Sequence, residues 1–286
     1  MSRPSRITRR WLHGHPLPAI NSTSDKEDRG QALVVAGSTT VPGAATLAGT
    51  AALRVGCGKL VIAAERSAVA AIAHAVPEAA IYSFNFRSKR QALLFDEAIE
   101  KSNAILIGPG LPSDREVVKL VRYIATRTRV PIVLDAGALE VLRTAQVSRP
   151  ARLVCTPHHG EMARLIGWSK RRISENPIAA AEQFARSHTG CLVLKSDCTL
   201  VMHESTLLVH KHGHPGLGTS GSGDVLAGGL VGLLARGLPP VVAAGWAVYA
   251  HALAGRRLAK RIAPVGYLAR EVADELPRCL TKPVSP

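Results

Sequence analysis

Aromatic side chains are scarce in this 286-residue sequence: four Phe, four Tyr and three Trp make up 4% of it. That scarcity argues against a single-strand nucleic-acid binder, which interleaves stacking rings with basic residues. The five cysteines (Cys57, Cys155, Cys191, Cys198, Cys279) are odd in number and form no C-x-x-C pair. A disulfide framework is therefore not expected, and reduced thiols in a cytosol are. No apolar run approaches the ~18 residues of a membrane span. Arg3, Arg6, Arg9 and Arg10 precede no apolar stretch, so a secretory signal is not expected either. Internal repeats, low-complexity tracts and linkers are also missing. The sequence predicts a cytoplasmic globular protein with no membrane contact.

Hydrophobic residues make up 47% of the chain, with Ala, Val, Leu and Gly abundant, which suits helices packed tightly on a buried sheet. Acidic residues are few: 21 Asp and Glu against 36 Lys and Arg give a net charge of +15. The basic residues are dispersed, and the densest runs are only "RITRR" and "SKRR". Nucleic acid is thus not the expected partner; attraction of a polyanionic small molecule fits the same charge.

Six short apolar runs end in Gly, Pro, Asp or Ser: "ALVVAGS" (32–38), "KLVIAAE" (59–65), "AILIGPG" (104–110), "PIVLDAG" (131–137), "RLVCTPH" (152–158) and "CLVLKSD" (191–197). Helix-length stretches such as 43–55, 114–127 and 178–187 separate them. This alternation predicts an α/β fold with a mostly parallel central sheet and helices on both faces. Residues 198–212 differ, with two runs flanking His203–Ser205 that read as an antiparallel hairpin. Helices are expected at 225–236, about 239–260 and near 267–276. The expected organisation is a polar N-terminal lead (1–30) followed by a single domain (31–286). Ligands of such sheets bind beyond the carboxyl ends of the strands, where Gly37-Ser38, Gly108-Pro109-Gly110, Asp135, His158 and Lys195 fall.

The stretch "GTSGSGDVLAGG" (218–229) places small residues just before a carboxylate and an apolar run. Gly221, Ser222 and Gly223 at a helix N-terminus can form an anion hole, with Asp224 beside it. Asp224 alone also reads as an ordinary N-cap. Gly216–Gly221 formally matches G-x-G-x-x-G, but residues 238–250 supply no acidic partner, and "GCGKL" (56–60) fails as a P-loop. In "CTPHHGEMARL" (155–165), Glu161 could hold Mg²⁺ through water or simply favour the helix dipole. Lys195 could meet phosphate or ribose, or be a solvated strand-end lysine. "HKHGH" (210–214) has the look of a metal tract, yet no carboxylate or Cys lies near it in sequence.

Together these blocks resemble the ribokinase-like superfamily, and within it the ADP- or ATP-dependent NAD(P)H-hydrate dehydratases. The resemblance runs from about Lys26 to Leu280, through "PGAATLAGTAALRVGCGKL", "IGPGLP", "LDAGAL", "TPHHGE", "LVLKSDCT" and "GTSGSGD". It implies that Asp224 is the catalytic carboxylate and Gly221, Ser222 and Gly223 the anion hole. It implies hydrate contacts from Ala45, Gly110, His158 and Asp224, and nucleotide contacts from Lys195, Ser196, Asp197, Cys198, Thr199 and Gly223. Glu161 would hold Mg²⁺ through water, with ADP or ATP as co-substrate. The reaction implied is nucleotide-dependent dehydration of (6S)-NAD(P)H hydrate, by phosphorylation of the ring hydroxyl and loss of phosphate, a lyase activity in metabolite repair.

The family pattern is altered at four places: Ser196 replaces a Gly, "SGSGD" replaces "GGTGD", His159 replaces a Pro, and Gly137 replaces an Asp. The resemblance also implies a homo-oligomer, in the tetrameric form favoured by the family, and an NAD(P)H-hydrate epimerase carried on a separate protein. The alternative is a small-molecule kinase of the same superfamily, of the hydroxymethylpyrimidine or thiazole type.

Overall fold

The apolar runs become strands because both of their faces are buried. Ala32, Val34, Leu106, Val133 and Val193 point to one core, and Leu33, Val35, Ile105, Ile107 and Leu194 to a second on the other side of the sheet. Side chains alternate across a strand, so a sheet covered twice needs near-continuous hydrophobic sequence. The computed structural model describes residues 4–21, 23–84, 89–144 and 152–281. Within them the strands are β1 (Ser5–Arg6), β2 (Gln31–Val35), β3 (Lys59–Ala64), β4 (Ala80–Ser83), β5 (Ala104–Ile107), β6 (Ile132–Leu134), β7 (Leu153–Cys155), β8 (Cys191–Leu194), β9 (Thr199–His203) and β10 (Thr206–His210).

They form one sheet in the order β1-β10-β9-β8-β7-β6-β5-β2-β3-β4. Every described neighbour pair is parallel except β8–β9 and β9–β10, so β9 alone runs against the rest. The expected hairpin is present, with His203 opposite Thr206. Chain order reverses around β2, which lies between β5 and β3, and such a switch point opens a crevice at the strand ends.

Helix Ser222–Ala235 packs across β2, β5 and β6 and against helix Gly43–Arg54. It is apolar all round and buried from Val225 to Ala235, as a central helix must be. The two helices approach closely: a Cβ on Gly228 would lie 2.1 Å from the Ala48 carbonyl oxygen. Small residues at this contact account for the composition, since aromatic rings would hold the helices apart. The contact also fixes the N-terminus of Ser222–Ala235 over the crevice.

The N-terminal residues correct the expectation of a polar lead. β1 pairs with Leu208 and Val209 of β10, and Thr8 caps the short helix Arg9–His13 by accepting from Trp11 N–H at 3.2 Å. Ile7 and Leu12 are buried, the Trp11 ring packs on Gly245, and Trp246 Nε1 donates to the His15 carbonyl at 2.7 Å. The segment covers the edge of the sheet that β10 would otherwise leave open. β4, also unforeseen, forms the opposite edge.

Candidate functional site: a glycine turn beside a buried lysine–aspartate pair

The glycine-rich turn enters the helix three residues earlier than expected. Gly221 is the N-cap at φ 84°, a left-handed conformation that favours glycine, and a Cβ there would lie 2.4 Å from Leu47 Cδ1. Ser222, Gly223 and Asp224 are the first three helical residues, and no side chain caps the end. The N-cap reading of Asp224 is therefore wrong. Ser222 N–H donates to the Thr219 carbonyl at 3.3 Å, and the helix dipole favours an anion at the rest of the first turn. Burial raises the Asp224 carboxyl to about 7, helped by the charges of Asp135 and Glu161 and opposed by Lys195. A carboxylate that titrates near neutrality is suited to accepting a proton.

Lys195 follows β8, and its N–H donates to the Pro157 carbonyl at 2.8 Å, tying the ends of β7 and β8 together. Its ammonium Nζ lies 2.6 Å from Asp135 Oδ1, at the end of β6. Thr156 Oγ1 donates to the same oxygen at 2.7 Å. Burial opposes the lysine's charge, but Asp135, Glu161 and Asp224 outweigh it and raise its pKa, so it stays an ammonium. Nζ stands 3.4 Å from where a Cβ of Gly223 would be, so the cation borders the glycine turn.

His158 and Glu161 form a reciprocal cap on helix His159–Ile166. His158 Nδ1 accepts from the N–H groups of Gly160 and Glu161, and Glu161 Oε2 accepts from His158 N–H at 2.8 Å. With Nδ1 accepting, the neutral ring carries its proton on Nε2, on a half-exposed side chain. Among the described residues no three His, Cys, Asp or Glu are placed to hold a metal directly, the His210–His214 run included. Mg²⁺ held mainly by water and phosphate needs only one or two carboxylates. Glu161 fits that demand: it is buried, and Oε1, 3.6 Å from His158 Nε2, takes no part in the cap bond.

A cleft of about 750 Å³ opens beside these groups, lined by His158, Lys195, Ser196, Asp197, Thr199, Ser222 and Gly223, with Leu226 and Val248 on its apolar side. Ser196 Oγ donates to the Cys198 carbonyl and accepts from Cys198 N–H, while Thr199 Oγ1 donates to the Ser196 carbonyl. The loop that replaces the family glycine thus closes on itself, and Cys198 serves it through backbone atoms. Gly110 meets Val41 and Ala44 at the switch-point crevice. Ala45 is fully buried under Gly37, and its N–H donates to the Pro42 carbonyl, so its side chain is not presented to the cleft.

Two residues escaped the sequence reading of the site. Asp135 stood out only as a strand end. His251, a lone His in an apolar helix, has Nε2 3.0 Å from both Ser222 Oγ and the Ser222 carbonyl. Burial pushes its pKa down to about 4, so the ring that braces Ser222 is neutral. His210, on β10, is likewise held neutral by burial at about 4, with Nδ1 3.3 Å from the Ile7 carbonyl.

A mostly parallel sheet with one reversed strand, and a carboxylate in the first turn of a helix entered through a glycine turn, defines the ribokinase-like fold class. An Enterococcus faecalis ribokinase-like superfamily protein superposes on 97% of the chain with a TM-score of 0.86 at 25% identity. A Bacillus subtilis ADP/ATP-dependent NAD(P)H-hydrate dehydratase co-crystallised with ATP and Mg²⁺ matches 98% of each chain, with a TM-score of 0.85 at 30% identity. The ADP-dependent (S)-NAD(P)H-hydrate dehydratase of Xanthomonas campestris is 42% identical over 281 residues, 96% of each chain. The family model described as NAD(P)H-hydrate dehydratase matches residues 32–278, and the chain belongs to that family.

Proposed function

We propose that the protein is a nucleotide-dependent NAD(P)H-hydrate dehydratase, a lyase that returns (6S)-NAD(P)H hydrate to NAD(P)H. One observation carries this reading: Asp224, titrating near 7, stands in the first turn of an uncapped helix beside the Lys195 ammonium. Asp224 takes the proton of the hydrate's ring hydroxyl as that oxygen bonds to the terminal phosphorus of ADP or ATP. The nucleotide leaves one phosphate shorter. The ring nitrogen then expels phosphate from the adjacent carbon, and loss of a proton from the next carbon restores the dihydronicotinamide double bond.

The turn of Gly221, Ser222 and Gly223 faces the charge that develops on the moving phosphoryl group. The turn Lys195–Thr199 supplies the nucleotide end of the cleft, and His158, as an Nε2–H donor, the hydrate end with Gly110. Ala45 shapes the wall behind the hydrate. Mg²⁺, when bound, neutralises phosphate oxygens; Glu161 would hold it through water.

The kinase alternative shares this apparatus, but its relatives lie further off: a hydroxyethylthiazole kinase from Pyrococcus horikoshii has a TM-score of 0.58 at 17% identity, which supports the fold alone. The Moorella thermoacetica bifunctional NAD(P)H-hydrate repair enzyme is matched over 53% of its length at 35% identity, and an NAD(P)H-hydrate epimerase is the pathway partner of this reading. Among the described residues no helix is long and apolar enough to cross a membrane. A cytoplasmic homotetramer completes the reading, on family resemblance. The test is the near-ultraviolet absorbance of dihydronicotinamide with NADH hydrate, Mg²⁺ and either nucleotide. Recovery that depends on nucleotide supports the dehydratase, and stoichiometric build-up of a phosphorylated hydrate supports the kinase.

A further inference from the structure

Lys195 is confined more closely than a nucleotide contact requires. Its side chain is 17% exposed and that of Asp135 3%, and the 2.6 Å contact between them is backed by Thr156, itself fully buried. Asp135 has little freedom. A Cβ on Gly108 would lie 1.8 Å from the Asp135 carbonyl oxygen, so β5 closes directly on its backbone. The next residue, Ala136, sits at φ 47°, a left-handed conformation that costs energy without a glycine. Strain kept beside a buried ion pair indicates that the position of the pair matters. Nζ borders Gly223, the last residue of the glycine turn, and feels the charge of Asp224. An ammonium there faces any anion held by the turn.

We propose that Lys195 is a catalytic residue that touches the phosphoryl group during transfer, and that Asp135 and Thr156 are positioning residues that hold its ammonium at the Gly221–Gly223 turn. The proposal rests on the phosphoryl-transfer step of the dehydratase reading and gives that step its fixed cation. Lys195 forms no covalent bond and keeps its proton throughout. The hydroxyl proton goes to Asp224, the phosphorus–oxygen bond to the nucleotide breaks, and the charge spread over the equatorial oxygens is met by Nζ and the turn N–H groups. Such fixed donors work by acting more strongly on the transition state than on the bound nucleotide.

The experiment is calorimetric binding of AMP and of ADP, each with Mg²⁺ and with or without aluminium fluoride, a mimic of the phosphoryl group in flight. Wild type is expected to bind nucleotide roughly tenfold or more tightly with the fluoride present. Lys195→Met should abolish that gain while changing the affinity for nucleotide alone by no more than about threefold. This variant leaves Asp135 buried and unpaired, which destabilises. The double variant Lys195→Met/Asp135→Asn, free of both charges, is therefore measured beside it and should show the same loss.

Steady-state assays with NADH hydrate add a second readout, because Asp135, Glu161 and Lys195 all act on Asp224. Asp135→Asn should lower kcat with little change in nucleotide KM and move the acid limb of kcat/KM to lower pH. Lys195→Met should move it to higher pH. Equal weakening of nucleotide with and without the fluoride would overturn the proposal, as would a wild type that gains nothing from the fluoride. A wild type that gains the fluoride affinity through Lys195 yet leaves the hydrate untouched would sustain the proposal and overturn the dehydratase reading alone.

Discussion

In the proposed mechanism Asp224 carries both the chemistry and the cost of the site. Its carboxyl, raised to about 7, must be ionised to act as base, so kcat/KM should rise with pH and level off above neutrality. Asp224→Asn should cut turnover by roughly 10²–10⁴-fold or more while nucleotide binding persists, because an amide cannot take the proton. Near-normal turnover of that variant would remove Asp224 from the mechanism. The same residue makes a stability prediction. Its folded pKa lies above the unfolded value, so the folded state holds the proton more firmly. The penalty for ionising it is absent below about pH 4, grows from there to about 7, and is fully present above. Asp224→Asn should then stabilise the fold at pH 8 by about 2–4 kcal/mol and have little effect at pH 4, as urea denaturation at the two pH values would show. Asp224 was legible because three small residues precede it in sequence. Asp135 and His251 were not, because their partners Lys195 and Ser222 lie 60 and 29 residues away. Only the sheet order and the helix packing bring them together.

Elements were read best where burial dictates sequence. The six apolar runs became β2, β3 and β5 to β8, and the hairpin became β9 and β10, because a strand buried on both faces needs unbroken apolar residues. β4 was missed since it sits at the sheet edge and is only partly buried, and β1 because two exposed residues carry no pattern. Helix Ser222–Ala235 was read as starting at 225, since Ser-Gly is a turn signal, although these residues already have helical backbone. The contact of that helix with Gly43–Arg54 depends on the missing side chain of Gly228. Gly228→Ala would force a methyl to 2.1 Å from the Ala48 carbonyl oxygen, and helical propensity cannot offset that clash. A loss of about 1–3 kcal/mol or more is expected in chemical denaturation, with lower turnover as the anion hole shifts. Wild-type stability in the Ala variant would contradict the close packing that sets the site.

For the whole molecule, the +15 charge has no counterpart in a localised basic motif. Dispersed positive charge should speed capture of a phosphorylated hydrate and a nucleotide, with exposed charges screened beyond ~10 Å at 0.1 M salt. kcat/KM is therefore expected to fall with added KCl while kcat changes little, and to fall more steeply for NADPH hydrate, which carries an extra phosphate. Equal salt independence for both hydrates would show that the basic surface serves something other than substrate capture. The central claim is that the hydrate's own hydroxyl oxygen attacks phosphorus with Asp224 as base. NADH hydrate carrying an isotopically heavy oxygen in that hydroxyl tests it most directly. With nucleotide and Mg²⁺, the account predicts one labelled oxygen in each phosphate released for every NADH formed, read by mass spectrometry. Label appearing in water, with unlabelled phosphate, would mean that the hydroxyl leaves without being phosphorylated and would contradict the account.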